Sequence, residues 1–237
     1  MDERVRKIID KSRRVVFFGG AGVSTESNIP DFRSETGLYN AMRHYGYSPE
    51  EMLSSDFYHS RKELFFDYYK NNLIYRDARP NKAHIALARL EEEGKLLSVV
   101  TQNIDGLHQA AGSKEVLELH GSVHRNYCMK CGKSYDAEYM LHAEGVPTCS
   151  CGGRIKPDVV LYEEGLDMTV MARAIQAIQD ADMLIIGGTS LIVYPAAGLI
   201  DYYRGNKLVV INMSVTSQDK NADLVIQEPI GKVFAGI

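Results

Sequence analysis

Five short apolar runs recur along the chain, each ending in small or polar residues: Arg14–Phe18, Leu96–Thr101, Met183–Ile186, Leu208–Ile211 and Ala222–Ile226. Runs of this length without alternation predict strands buried on both faces. Segments of a different period separate them. In Asn81–Glu93, Ala83, Leu87 and Leu90 fall on one stripe, and in Asp167–Asp180 so do Met171, Ala174, Ile175 and Ile178. Both segments therefore predict amphipathic helices. Strands alternating with such helices predict an α/β fold built on a doubly wound parallel sheet, which binds ligands at the carboxyl ends of its strands. Residues Val123–Ile155 keep no clear period and read as a small inserted module. The most apolar stretch, Ala181–Ile200, approaches the length of a membrane span, but Asp182, Gly187, Gly188 and Pro195 interrupt it. A strand, a turn and a helix start are expected there instead.

Composition narrows the function. The 237 residues are 45% hydrophobic and 24% charged, which excludes wholesale disorder. With 27 basic against 31 acidic residues the net charge is −4, so there is no electrostatic footprint for nucleic acid. The N-terminal MDERVRKIIDKSRR lacks the apolar run of a secretion signal, so a cytoplasmic protein with reduced thiols is expected. There the four cysteines read as ligands: Cys128 and Cys131, then Cys149 and Cys151, on two knuckles. Such pairs give tetrahedral S4 zinc, and four thiolates leave no open position, so the metal is structural.

Polar motifs sit where the apolar runs end. Gly19–Thr25 forms a glycine turn of the kind that lets a backbone approach a pyrophosphate, although Thr25 replaces the third glycine of the dinucleotide fingerprint. The loop Asn28–Ser34, with Phe32 and Arg33, suggests a cover over a ligand. Thr101–His108 puts Gln102, Asn103 and Asp105 at a strand's carboxyl end. His120, before Gly121 in Val116–Ser122, is placed as a general base, with an ordinary pKa of about 6.5. His44, His59, His84, His108, His124 and His142 have no comparable setting and read as surface or packing residues. Gly187–Leu191 and Ile211–Ser214 offer small polar side chains at two further strand ends, suited to the riboses and adenine of a dinucleotide.

In order and over nearly the whole chain, from about Arg14 to Ile230, these segments resemble the sirtuins, the NAD-dependent protein-lysine deacylases. The resemblance rests on GAGVS and PDFR (Gly20–Ser24, Pro30–Arg33), TQNIDGLH (Thr101–His108), ELHGS (Glu118–Ser122), the paired cysteines, IKPDVVLYEE (Ile155–Glu164), GTSL (Gly188–Leu191) and INMS (Ile211–Ser214). It implies a Rossmann-like NAD-binding domain (1–122 and 156–237), a small zinc module (123–155), and a helical insertion (38–80) forming the cofactor loop and acyl pocket. NAD is the implied co-substrate, and acetyl-lysine proteins are the implied partners of a monomer that binds neither nucleic acid nor membrane. By motif position, Gly20, Ala21, Gly22, Ser24, Thr25, Gly188, Thr189, Ser190, Asn212, Met213, Ser214 and Ile230 would hold the dinucleotide, with Phe32 and Arg33 in the cofactor loop. Gln102, Asn103, Ile104 and Asp105 would surround the nicotinamide and its ribose. Asn103 and His120 would be catalytic, His120 as general base, and Val159, Val160, Leu161 and Tyr162 would form an edge strand pairing with substrate peptide. The expected reaction moves acetyl from lysine to ADP-ribose, giving nicotinamide and 2′-O-acetyl-ADP-ribose; mono-ADP-ribosyl transfer in the same cleft is the alternative.

Two departures from the family pattern carry information. The subclass acting on succinyl and malonyl lysine has Tyr-x-x-Arg where this chain has Phe66 and Tyr69. The cation for a dicarboxylate is missing, and acetyl is expected over succinyl. In the peptide strand, a common Phe-Gly-Glu is replaced by Tyr162-Glu163-Glu164.

Overall fold

The computed structural model describes residues 1–31 and 34–236. In chain order its strands are β1 (Val15–Gly19), β2 (Leu96–Thr101), β3 (Val116–Glu118), β4 (Gly121–Cys128), β5 (Ser134–Tyr135), β6 (Ile155–Val159), β7 (Met183–Gly187), β8 (Leu208–Ile211) and β9 (Leu224–Ile226). Six of them form one sheet in the order β3-β2-β1-β7-β8-β9, and every pairing in it is parallel. The doubly wound sheet expected from the apolar runs is therefore present. Its strand order reverses between β1 and β7, which opens a crevice at their carboxyl ends.

Both faces are covered, which is why these strands are apolar throughout. On one face Phe17, Val99, Ile185 and Val209 pack against Val5 and Ile9 of the helix Glu3–Asp10 and Ala83, Leu87 and Leu90 of the helix Lys82–Glu92. On the other, Val16, Phe18, Leu184 and Val210 meet Ala174 and Ile178 of the helix Met168–Asp180. Ala181–Ile200 resolves into β7, a turn and a 3-10 helix over Ala196–Tyr202. Among the described residues no helix is long and apolar enough to cross a membrane. The last strand is shorter than its apolar run: at Asp223 the amide still donates to the Leu208 carbonyl at 2.8 Å, but the Leu208 amide is taken by the Asp223 carboxylate, also at 2.8 Å.

A second, antiparallel sheet of order β5-β4-β6 carries the cysteines. Its core is shared with the short helices between β1 and β2. Val123, Cys128, Cys149, Ile155 and Val159 pack with Met52, Leu53, Tyr58, Phe65, Phe66 and Tyr69 in one apolar cluster. Edge-to-face rings of Tyr58, Phe65 and Phe66, with centroids 5.1 to 5.9 Å apart, fill its centre.

Candidate active site

The glycine turns after β1 and β7 are packed backbone to backbone. The Gly22 amide donates to the Gly188 carbonyl at 2.8 Å. At Gly188, φ is +58° and a Cβ would lie 2.4 Å from the Val23 nitrogen, so only glycine fits. Asn81 anchors this turn from below. Its oxygen caps the helix Lys82–Glu92, while its Nδ2 donates to the Val23 carbonyl at 2.7 Å and to Ser27 Oγ at 3.0 Å.

Beside the turn, the end of β2 delivers a hydrogen-bonded group of polar side chains. Ser24 Oγ donates to Asp105 Oδ2 at 2.6 Å and accepts from Asn103 Nδ2 at 3.0 Å. The Leu107 amide donates to Asp105 Oδ1 at 2.9 Å. Burial pushes the Asp105 carboxyl up from its ordinary value, and these donors oppose the push. Gln102 Nε2 donates to Thr189 Oγ1 at 3.1 Å, linking the ends of β2 and β7 across the crevice.

His120 lies opposite, in the turn between β3 and β4. Its Nδ1 sits 2.9 Å from the Gln102 carbonyl oxygen. A carbonyl only accepts, so Nδ1 carries the hydrogen and Nε2 is the basic nitrogen of the neutral ring. The turn after it is possible only with glycine: at Gly121 φ is +76° and a Cβ would fall 2.0 Å from the Asp158 carbonyl oxygen.

These groups face one cleft of about 1260 Å³, its open mouth included. Ala21, Ser24, Gln102, Asn103, Ile104, Asp105 and His120 line it, and so do Val159, Val160, Leu161 and Tyr162 on the far wall. That wall is strapped into the chain: the Val160 amide donates to the His120 carbonyl, the Tyr162 amide to the Leu53 carbonyl and the Ser55 amide to the Tyr162 carbonyl. Glu163, next in line, has φ +75°, and its Oε2 accepts from the Asp56 amide at 3.0 Å, at the start of the helix Ser55–Ser60.

Other expected site residues stand further out. Gly20, Gly22, Thr25, Gly188, Thr189 and Ser190 form the two packed turns at the crevice, and Thr25 Oγ1 donates to the Gly22 carbonyl at 3.0 Å. Asn212, Met213 and Ser214 follow β8, where Asn212 Nδ2 donates to the Ser214 carbonyl at 2.8 Å. Ile230 is buried in the core. Phe32 and Arg33 lie outside the described residues. Several lining residues were not among the candidates: Leu53, Asn72, Leu73 and Tyr75 from the helical segment, and Val193, Tyr194 and Pro195 after β7. The Pro195 break in an apolar stretch was the one available signal for the last three. Phe66 and Tyr69 do not line the cleft; both are fully buried in the aromatic cluster.

The cysteine sulfurs lie within 4.8 Å of one another, with Cys128 and Cys151 at 3.5 Å and Cys131 and Cys149 at 3.7 Å. Zn–S bonds of about 2.3 Å set tetrahedral S···S edges of roughly 3.8 Å, so the set fits one zinc ion. The knuckle amides of Lys130 and Cys151 donate to Cys128 and Cys149 sulfur at 3.4 and 3.5 Å. Four sulfurs complete the shell, which makes the site structural.

Comparison with known proteins bears on the whole arrangement. The model of the Sir2 family matches residues 20–195. An NAD-dependent protein deacetylase of Clostridium acetobutylicum is 61% identical over 232 residues, covering 97% of this chain and 95% of the relative. One from Clostridium tetani is 58% identical over 241 residues, with 100% and 98% covered. A solved Sir2–p53 peptide–NAD+ complex superposes with a TM-score of 0.86 at 38% identity, covering 98% and 95% of the two chains. A Sir2 homolog–NAD complex gives 0.88 at 38%, covering 99% and 91%.

Proposed function

The chain belongs to the Sir2 family, and from that premise we infer that it is an NAD-dependent protein-lysine deacetylase. The observation that carries the reading is the convergence of Asn103, Asp105 and His120 with the 159–162 edge on one cleft, at the reversal point of a parallel sheet. NAD, when bound, would supply a ribose carbon that exchanges nicotinamide for the acyl oxygen of the lysine amide and a ribose hydroxyl that gives up its proton to take the acyl carbon; one water then completes release of the amine, so the products are lysine, nicotinamide and 2′-O-acetyl-ADP-ribose.

The chain's own part is positioning, proton transfer and exclusion of water. His120 accepts the proton at Nε2, its tautomer set by the Gln102 carbonyl. Asn103 and Asp105 orient the nicotinamide side, Asn103 held by the Ser24 hydroxyl. The turns after β1 and β7, with Asn212, Met213 and Ser214 beyond β8, hold the phosphates and adenosine, and Ile230 backs them from the core. Ile104 and Pro30 give the cleft apolar wall that keeps bulk water from the reacting carbon. Val159 to Tyr162 receive the peptide. Among the described residues no lysine or arginine lines the cleft, so a succinyl carboxylate finds no cation and acetyl is the fitting acyl group.

In this reading 1–122 and 156–237 form the NAD domain, 123–155 the zinc module and 38–80 a helical insertion. The enzyme is a cytoplasmic monomer acting on acetylated proteins, and its net charge of −4 speaks against nucleic acid as a partner. The test is incubation with NAD and a panel of acyl-lysine peptides, followed by mass spectrometry. Peptide-dependent nicotinamide release with 2′-O-acetyl-ADP-ribose is expected. Peptide-independent release with ADP-ribose on protein would establish the transferase instead.

A further inference from the structure

Three segments meet at the cleft without sharing a secondary-structure element: the loop and short helix 102–110, the His120 turn and the 159–162 edge. Side chains in series connect them. Gln109 Nε2 donates to Glu118 Oε1 at 2.8 Å, Arg125 Nη1 to Glu118 Oε2 at 2.6 Å, and Arg125 Nε to Asp158 Oδ2 at 2.7 Å. Each carboxylate lies close to the chemistry. Glu118 ends β3 two residues before His120, and Asp158 directly precedes Val159. Arg125 itself stands on β4, whose Val123 amide also donates to the Ile104 carbonyl at 3.0 Å and whose His124 Nε2 donates to the Asp105 carbonyl at 2.9 Å.

We propose that Arg125 is a positioning residue for the deacetylation reaction, its guanidinium clamping the β3 end that leads to His120 against the β6 end that receives the peptide. The proposal rests on the deacetylase reading. An exposed ion pair by itself contributes little, but this one differs in two respects. The Glu118 side chain is only 9% exposed, so its charge depends on internal partners. The planar guanidinium places two nitrogens on two separate carboxylates, a span that a single ammonium does not reproduce. Without Arg125, Glu118 and Asp158 repel across the gap that fixes the imidazole relative to the acyl-lysine. The nucleotide turns after β1, β7 and β8 are not touched by this clamp.

Arg125→Ala is therefore expected to lower kcat about tenfold, to leave KM for NAD within about twofold and to shift the melting temperature by no more than a few degrees, because misplacement of a reacting group costs rate rather than cofactor binding. Arg125→Lys should recover part of kcat by restoring the charge. A kcat for Arg125→Ala within twofold of the wild type, or a loss that Lys does not relieve at all, would overturn the proposal. Amide hydrogen exchange on the free proteins gives an arm independent of activity: Arg125→Ala should speed exchange in 103–110 and 119–124 about tenfold while β1 and β7 stay protected. Unchanged exchange in those segments overturns the clamp even if wild-type turnover is never observed. Absence of NAD-dependent deacetylation by the wild type removes only the deacetylase reading.

Discussion

The imidazole of His120 hangs from the carbonyl of Gln102, a residue 18 positions earlier that also bridges to Thr189 with its side-chain amide. One residue thus sets the tautomer of the imidazole and ties it to the crevice between β1 and β7. His120→Ala is expected to keep the fold, since the ring lies at the cleft rather than in a core, and to lower deacetylation by about 10²- to 10⁴-fold. Circular dichroism and peptide turnover check the two halves; near-normal turnover would remove His120 from the mechanism.

His84 and His108 supply a pH dependence. Their rings meet edge-on with centroids 4.7 Å apart, and both are fully buried. Burial pulls His84 down to about 4 and His108 to about 3, the latter further lowered by His84. Both folded-state values lie below the unfolded value near 6.5. Above that pH the pair is neutral in both states; below it the unfolded chain takes up protons that the native one refuses, so stability falls as pH drops toward about 4. The loss through His84 alone is on the order of 3 kcal/mol. Urea unfolding between pH 7 and pH 4.5 measures it, and His108→Phe should flatten the slope. A stability independent of pH in that window would contradict the assignment.

Cys128→Ser should lose stoichiometric zinc and lower the melting temperature, because the sulfur is both ligand and a buried member of the apolar cluster. Metal analysis and calorimetry decide it. Unchanged metal content refutes the S4 site.

Glu163 holds a left-handed conformation that costs a non-glycine residue about 1 kcal/mol, and its carboxylate on the Asp56 amide returns a similar amount. Glu163→Gly should then be nearly neutral. Glu163→Ala loses the acceptor and keeps the strain, so it should be less stable than the glycine variant by about 1 kcal/mol. Equal stabilities in denaturant titration would disprove this account.

Tyr69 is buried with a hydroxyl that has no hydrogen-bond partner among the described residues. Tyr69→Phe should stabilise by about 1 kcal/mol, and Tyr69→Arg should destabilise strongly without conferring desuccinylation, because the charge would enter a packed aromatic cluster rather than the cleft. Succinyl-peptide turnover by a folded Tyr69→Arg variant would show that the side chain reaches the substrate.

Much of this was legible in the chain because the parallel sheet is coded locally. A strand covered on both faces must be an unbroken apolar run, and the runs forming β1, β2 and β7 end in the residues that meet at the crevice, such as Gly188 or Asn103. Chelating cysteines are similarly local, two per knuckle. The wall made by Leu53, Asn72 and Tyr75 was not legible, since it comes from short aromatic-rich helices whose inward face depends on a sheet formed far downstream. The Gln109–Glu118–Arg125–Asp158 series was hidden for another reason. Pairing between charges on separate strands leaves no periodicity, and Arg125 reads as any solvated arginine until β4 is laid beside β3 and β6.

The division of the cleft between two cores carries a thermal consequence. Leu53 and Val159, on the far wall of the cleft, belong to the cluster that includes Cys128 and Cys149, whereas the turns after β1 and β7 rest on the doubly covered sheet. Heating or chelation should dismantle the first while the second persists, giving two calorimetric steps of unequal size. With the peptide on the 159–162 edge and the dinucleotide on the sheet's turns, as proposed, peptide binding is expected to fail at a lower temperature than dinucleotide binding.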